Sequence, residues 1–312
     1  MTGVKRDHGG GIDAAAARFG GARADWIDLS TGINPVPYPV ADIPDGAWAA
    51  LPDAAAQQSL IRAAKSFWQV PDGADILAAP GASSLIARIP ALCPPGTVDI
   101  PGPTYNEHAA AFTAEGWQVS DQTPNARVVV HPNNPTGDWR DRETGGYDLH
   151  VIDESFCDVA PDRSLIDRAT TPGTLILKSF GKFWGLAGLR LGFAIGDPAL
   201  IAHLSQMLGP WPVAGPALSI GTRALTDPGW ANATRQRLNV DAARLDTLMT
   251  GAGAQLAGGT PLFRLYTVDH AQGWQDRLAR AQIWTRIFPY SDSLIRLGLP
   301  APDQWPRLEA AL

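Results

Sequence analysis

Lysine is scarce in this chain, and one copy sits where an amine could do chemistry. The stretch SFGKFWGLAGLRLGF, residues 179–193, sets Lys182 among glycine, aromatic and leucine residues. A lysine is costly to bury without a partner or a covalent bond. Desolvation lowers its pKa, so the free amine becomes available to attack an aldehyde and form a Schiff base. The other lysines are Lys5, Lys65 and Lys178, and all remaining basic residues are arginine, so candidates for an amine chemistry are few.

Such a lysine must be held by a scaffold. Between residues 54 and 210, helical stretches alternate with short apolar runs that end in turn residues. Residues 54–68 have helical spacing. ADILAAPG reads as a strand entering a glycine turn, and SSLIARIPAL as the helix after it. TVDIPGP, ARVVVHPNNPTG, LHVIDES and TLILKSFG are four further apolar runs closing on polar or glycine-rich residues. This pattern predicts an α/β domain with a mostly parallel sheet. Ligands of such sheets sit outside the carboxyl ends of the strands. The strand ends PGASS, GPTY, HPNNPTG, DES and SFGK therefore share one rim with Lys182. After Pro216 the texture changes: 217–225 and 230–249 read as helices, PLFRLYTV, IWTRIFPY and SLIRLGLP as strands, and 302–312 as a closing helix, a smaller α+β domain.

Composition bounds the function. The chain has 312 residues, 45% hydrophobic and 18% charged, as expected for a folded globular protein of more than one domain. Its formal charge of −6, without a basic run, argues against a nucleic-acid partner. Any anionic ligand must be held by a few arginines or by backbone amides. The opening lacks the apolar segment of a signal peptide, and no 18 apolar residues run uninterrupted, so a cytoplasmic protein with no membrane partner is expected. Cys93 and Cys157 are too few and too isolated for a disulfide scaffold, and no metal site is expected.

Residues 179–190, SFGKFWGLAGLR, resemble the signature around the pyridoxal 5'-phosphate lysine of the class I/II aminotransferase superfamily, fold type I. The resemblance makes Lys182 the catalytic lysine and places Ser179, three residues earlier, and Arg190, eight later, on the cofactor phosphate. An arginine suits phosphate through charge-assisted, bidentate hydrogen bonds. HPNNPTG matches the turn whose asparagine, here Asn134, bonds the pyridine hydroxyl oxygen. VIDES matches the strand end whose aspartate, here Asp153, pairs with the pyridine nitrogen and keeps the ring an electron sink. PTYNEH places Tyr105 where an aromatic stacks on the ring. PGASS would offer the amides of Ala82 and Ser83 to the phosphate. Three departures stand out: Phe156 and Leu51 occupy places where many relatives have tyrosines, and Gly181 stands where the family often has serine. The tyrosine replaced by Leu51 is one that relatives donate across a dimer interface; a homodimer is what the family implies. The domains implied are 41–212, a large cofactor-binding domain, and 213–312, a small one, with 1–40 joining the small domain and the substrate site.

The cofactor alone leaves transamination, decarboxylation, racemisation and elimination open. SLIRLGLP resembles the family strand whose arginine, here Arg296, holds the substrate carboxylate, and Arg286 offers a second anion contact. The opening DHGGGIDAAAARFGGARADWIDLSTGINPVPYP resembles that of the L-threonine-O-3-phosphate decarboxylases of cobalamin biosynthesis. In that resemblance His8 and its glycines lie beside the substrate phosphate and Gly32 lies near the substrate. The implied reaction releases carbon dioxide from a small phosphorylated amino acid. A histidinol-phosphate aminotransferase is the rival, with nearly the same core residues but a 2-oxo acid as second substrate. A non-catalytic scaffold of the same fold is disfavoured by the presence of Lys182, Asp153 and Arg190.

Overall fold

A computed structural model describes residues 7–40, 42–140 and 146–312. The chain forms two compact units, one of Pro37–Asn134 with Trp139–Ala233, the other of Met1–Val36, Pro135–Asp138 and Thr234–Leu312.

The first unit is built on a seven-stranded sheet. Its strands lie in the order Asp75–Ala79, Gly192–Gly196, Thr174–Ser179, Leu149–Asp153, Ala126–Val130, Thr97–Asp99 and Gln118–Val119. Neighbours are parallel except that Gly192–Gly196 runs antiparallel to both strands beside it. The strands LHVID and GFAIG are buried along their whole length, as expected where both faces of a sheet are covered. Leu85, Val98, Phe112, Val128, Val151, Leu175 and Leu177 form part of the core on one side.

The expected mostly parallel α/β sheet is present, with two differences of detail. The Gly192–Gly196 strand is an element that the alternating helix–strand reading passes over. Its first residue pairs directly with Ser179, the last of the Thr174–Ser179 strand. SSLIARIPAL is a short helix, Ala82–Ile86, followed by a 3₁₀ turn, Ile89–Leu92, with Pro90 at its start. Proline lacks the amide that a continuous helix would need there.

The division between the units falls at 233/234, inside the helix Pro228–Gly251, rather than at the expected 212/213. The cause is packing: the helix Gly215–Leu225 lies against the helix Ala54–Phe67, and Gly221 meets Leu60 and Leu191. That helix therefore belongs to the sheet unit. The first 36 residues fall in the second unit together with the C-terminal segment.

The second unit holds an antiparallel sheet in the order Arg286–Phe288, Ser291–Gly298, Phe263–Thr267, Gln255–Thr260. IWTRIFPY is two strands, since Ile283–Trp284 pairs in parallel with Ile27–Asp28 while Arg286–Phe288 joins the four-stranded sheet. The helix Ile12–Phe19 buries Ile12 and Ala15 with Trp26 and Ala279, with Phe19 and Trp284 packed alongside. No helix among the described residues is long and apolar enough to cross a membrane.

Candidate active site

Lys182 projects from a loop whose other residues are anchored. Phe180, Gly181, Phe183 and Trp184 are buried, and Lys182 alone of these five is half-exposed. Trp184 stacks between Phe180 and Trp230, with ring centroids 5.1 and 5.3 Å away. Each buried aromatic contributes roughly 1.5–3 kcal/mol, so the loop is fixed by its apolar neighbours. The Lys182 Nζ lies 5.2 Å from the centroid of the Phe156 ring.

The amine enters a cleft of about 640 Å³, its mouth included, at the carboxyl rim of the sheet. Ala82, Ser83, Tyr105, Asn134, Asp153, Ser179, Lys182 and Arg190, all eight residues expected around the cofactor, line this one cleft. Ser155, Phe156 and Gly181 line it too. Because Gly192–Gly196 runs antiparallel, it starts at the rim where the parallel strands end. Arg190, just before it, is thereby delivered to the same side as Lys182.

The phosphate end is shaped by close backbone packing. Gly81 has φ +85, and a Cβ there would strike the Arg190 guanidinium. A Cβ on Gly192 would meet the backbone of Gly81 and the amide of Ala82. Only glycine lets the guanidinium close over the first turn of the Ala82–Ile86 helix. Arg190 donates to the Ala187 carbonyl at 2.9 Å, and the Gly181 amide donates to Ser179 Oγ at 3.2 Å. These groups fit a phosphate: a cation, a hydroxyl and backbone amides gathered at one end of a cleft.

At the other end Asp153 is 3% exposed and held by three donor contacts. Ser155 donates to Oδ1 through its amide, 3.0 Å, and its hydroxyl, 2.5 Å, while His108 Nε2 lies 2.9 Å from Oδ2. Burial pushes this carboxyl up, but the His108 contact and the two Ser155 bonds outweigh it and hold it below its ordinary value. A buried carboxylate kept ionised is what a protonated pyridine nitrogen needs as a partner. His108 and Ser155 were missed in the sequence, although His108 stands three residues beyond Tyr105 in PTYNEH. That is one helical turn, so the Asn106–Ala114 helix presents Tyr105 and His108 side by side, edge to face at 6.0 Å.

Below the cleft lies a buried charged cluster that sequence reasoning also missed. Lys178 Nζ bonds Glu154 at 2.5 Å and lies 3.7 Å from Asp158. Glu154 also accepts from Ser164 and the Leu165 amide, and Asp158 accepts from the indoles of Trp68 and Trp184. Burial disfavours the Lys178 ammonium, yet Glu154 and the neighbouring acids hold its pKa above the usual value. Glu154 follows Asp153 and Lys178 precedes Ser179, so the pair ties together two strand ends that carry site residues. His131, Glu154 and Cys157 bring ligand atoms within 4.8 Å of one another. Protein groups already engage them: His131 Nδ1 accepts from the Arg140 amide and Nε2 donates to the Arg163 carbonyl.

The expected substrate residues all lie in the second unit. Arg286 and Arg296 stand directly opposite each other across two antiparallel strands. Arg296 is buried and donates to the Ser30 carbonyl at 2.6 Å; Arg286 donates to the Asp7 carboxylate at 2.7 Å and to its carbonyl at 2.9 Å. Burial, and then the like charge of Arg286, bring the Arg296 pKa down to about 10, which still leaves it cationic at neutral pH. The N-terminal glycines lie against the same turn, with the Gly10 amide on Ser30 Oγ at 2.6 Å and Gly9 packed on the Ser30 backbone. His8 is exposed beside them, and Gly32 is buried two residues past Ser30.

Residues 121–303 match the family of class I and II aminotransferases. The chain belongs to that family. Over 95% of its length it is 41% identical to a threonine-phosphate decarboxylase from a Sinorhizobium species, covering 93% of that protein. A threonine-phosphate decarboxylase from Pseudomonas aeruginosa is 38% identical over 98% of this chain and 97% of its own. The fold matches that of histidinol-phosphate aminotransferase from Sinorhizobium meliloti, a structure with pyridoxal-5'-phosphate, at TM-score 0.84, 17% identity, and 97% and 93% of the two chains. Pyridoxal 5'-phosphate is the cofactor of this family, and the cleft offers it an amine, a phosphate cradle and an ionised partner for its ring nitrogen.

Proposed function

We propose that this protein is a pyridoxal phosphate-dependent carboxy-lyase that converts L-threonine O-3-phosphate to (R)-1-amino-2-propanol O-2-phosphate for cobalamin biosynthesis. One observation carries the reading: its similarity to threonine-phosphate decarboxylases extends over nearly the whole of both chains. Bound pyridoxal phosphate supplies an aldehyde for amines and a ring that takes up the electron pair released when the carboxylate leaves.

The protein's own groups do the rest. Arg190, Ser179 and the amides of Ala82 and Ser83 would hold the cofactor phosphate. Asn134 would serve the ring hydroxyl oxygen, and Tyr105 the ring face. Asp153, held ionised by His108 and Ser155, would keep a proton on the ring nitrogen. Lys182 would hold the cofactor through its amine and would carry the proton needed at the substrate's Cα. Arg296 and Arg286 bind the substrate's anionic groups, and His8 with the glycines around it lies on the phosphate side, near Gly32. These contacts work by orientation and electrostatics. The enzyme acts in the cytoplasm as a homodimer; Trp48 and Leu51, both 68% exposed, supply apolar surface for a second copy.

The test is product analysis with purified protein, pyridoxal phosphate and L-threonine O-3-phosphate, without any 2-oxo acid. Carbon dioxide and aminopropanol phosphate should appear in equal amounts and vanish in Lys182→Ala. Amino transfer from histidinol phosphate to 2-oxoglutarate, with no carbon dioxide from phosphothreonine, would overturn the reading in favour of an aminotransferase.

A further inference from the structure

Two arginines placed opposite each other on adjacent strands repel, and a fold gains nothing by keeping them so unless an anion lies between. The Arg286–Arg296 pair already has an anion: Oδ2 of Asp7 sits 2.7 Å from Arg286. Asp28 also influences this cluster, but its Oδ1 is engaged by the Ser30 amide and hydroxyl at 2.9 and 2.6 Å. Among the described residues, Tyr290 also influences this cluster.

We propose that Asp7 is a resident carboxylate which holds Arg286 at the two-arginine site and must be displaced by the substrate's anion, so that it lowers the apparent affinity of that site for any incoming anion. The inference rests on the phosphorylated substrate proposed above. Three features support exchange rather than a fixed ion pair. The Asp7 side chain is 42% exposed whereas that of Arg286 is 12% exposed, so the carboxylate has water to turn into and the arginine does not. The main chain nearby is held independently of that carboxylate, by the Gly10 amide on Ser30 Oγ. The side chain can therefore leave while its backbone stays. Charge can also drive the exchange: a phosphate dianion brings a second charge to two guanidiniums, which a carboxylate does not.

The experiment is calorimetric titration of the holoenzyme with inorganic phosphate, and with acetate as the monoanion, for the parent protein, Asp7→Asn and Asp7→Ala. Retention of the visible absorbance of bound pyridoxal phosphate reports an intact fold. Both variants should bind phosphate more tightly, by roughly 5- to 30-fold for the loss of one charge-assisted competitor. Acetate should gain by a similar factor, since both anions lose the same competitor, and KM for L-threonine O-3-phosphate should fall with kcat little changed. Phosphate affinity that is unchanged or weaker in both variants would overturn the proposal, since Asp7 would then be a spectator or a support for Arg286. Phosphate binding needs no turnover. Tighter phosphate in the variants of a protein that releases no carbon dioxide would uphold the role of Asp7 and refute the substrate.

Discussion

Replacing His108 by phenylalanine would strip Oδ2 of Asp153 of its donor while filling nearly the same buried volume. The two Ser155 bonds to Oδ1 would remain. A hydrogen bond to a charged group contributes about 1.5–3 kcal/mol. If that energy is what keeps Asp153 ionised beside a protonated ring nitrogen, its loss falls on the transition state. The expected fall in kcat/KM is roughly 10- to 150-fold. Burial would then act on Asp153 with less opposition, raising its pKa, so the acid limb of the rate profile should move to higher pH. His108→Gln, which keeps a donor, should lie between the two. The assay is carbon dioxide release from L-threonine O-3-phosphate at several pH values and saturating pyridoxal phosphate, with bound cofactor followed by visible absorbance. Activity within threefold of the parent enzyme, with an unmoved acid limb, would refute the reasoning and leave Ser155 as the sufficient partner.

The Lys178–Glu154 pair makes a stability prediction. Lys178→Met leaves two buried carboxylates without their cation and should cost about 3–5 kcal/mol in urea unfolding of the holoenzyme. Adding Glu154→Gln should recover part of that loss; a double variant as unstable as the sum of the singles would contradict the pairing. Asp153 gives a pH prediction with a definite sign. Its folded pKa lies below the unfolded value of about 3.9, so it adds stability above that pH, and this is lost as pH falls through the folded value. Unfolding curves between pH 3 and 5 should therefore show a shallower acid loss for Asp153→Asn than for the parent, and equal slopes would rule the contribution out.

That the eight expected cofactor residues share one cleft was legible because each belongs to a short contiguous phrase that follows a strand. Strand ends in a parallel sheet share one rim, so finding five phrases was enough to place Ala82, Ser83, Tyr105, Asn134, Asp153, Ser179, Lys182 and Arg190 together. His108 escaped because its role depends on a partner 45 residues away, although helical spacing from Tyr105 hinted at its direction. The Lys178–Glu154–Asp158 cluster was hidden for another reason: lysine in a strand reads as exposed until the whole sheet is known. Arg286 and Arg296 could be named, but not their pairing. That pairing depends on a strand register across a tight turn, and on a carboxylate 279 positions earlier in the chain. The late boundary between the units likewise follows from tertiary packing of the Gly215–Leu225 helix, which its own periodicity does not reveal.

The antiparallel strand in the sheet has a consequence for how the catalytic loop is gauged. Parallel neighbours need a crossover of a dozen or more residues that returns the chain to the far edge of the sheet. Here Ser179 and Gly192 pair directly, so the chain leaves and re-enters on the same side and both feet of the loop are bonded to each other. The amine of Lys182 and the guanidinium of Arg190 are therefore carried on one short span with a fixed base. Their separation is set first by that span, with Trp230 and Gly81 packing against it from elsewhere in the chain. That span carries the amine and the guanidinium as two marks on one ruler, and a shift of the sheet would carry both together.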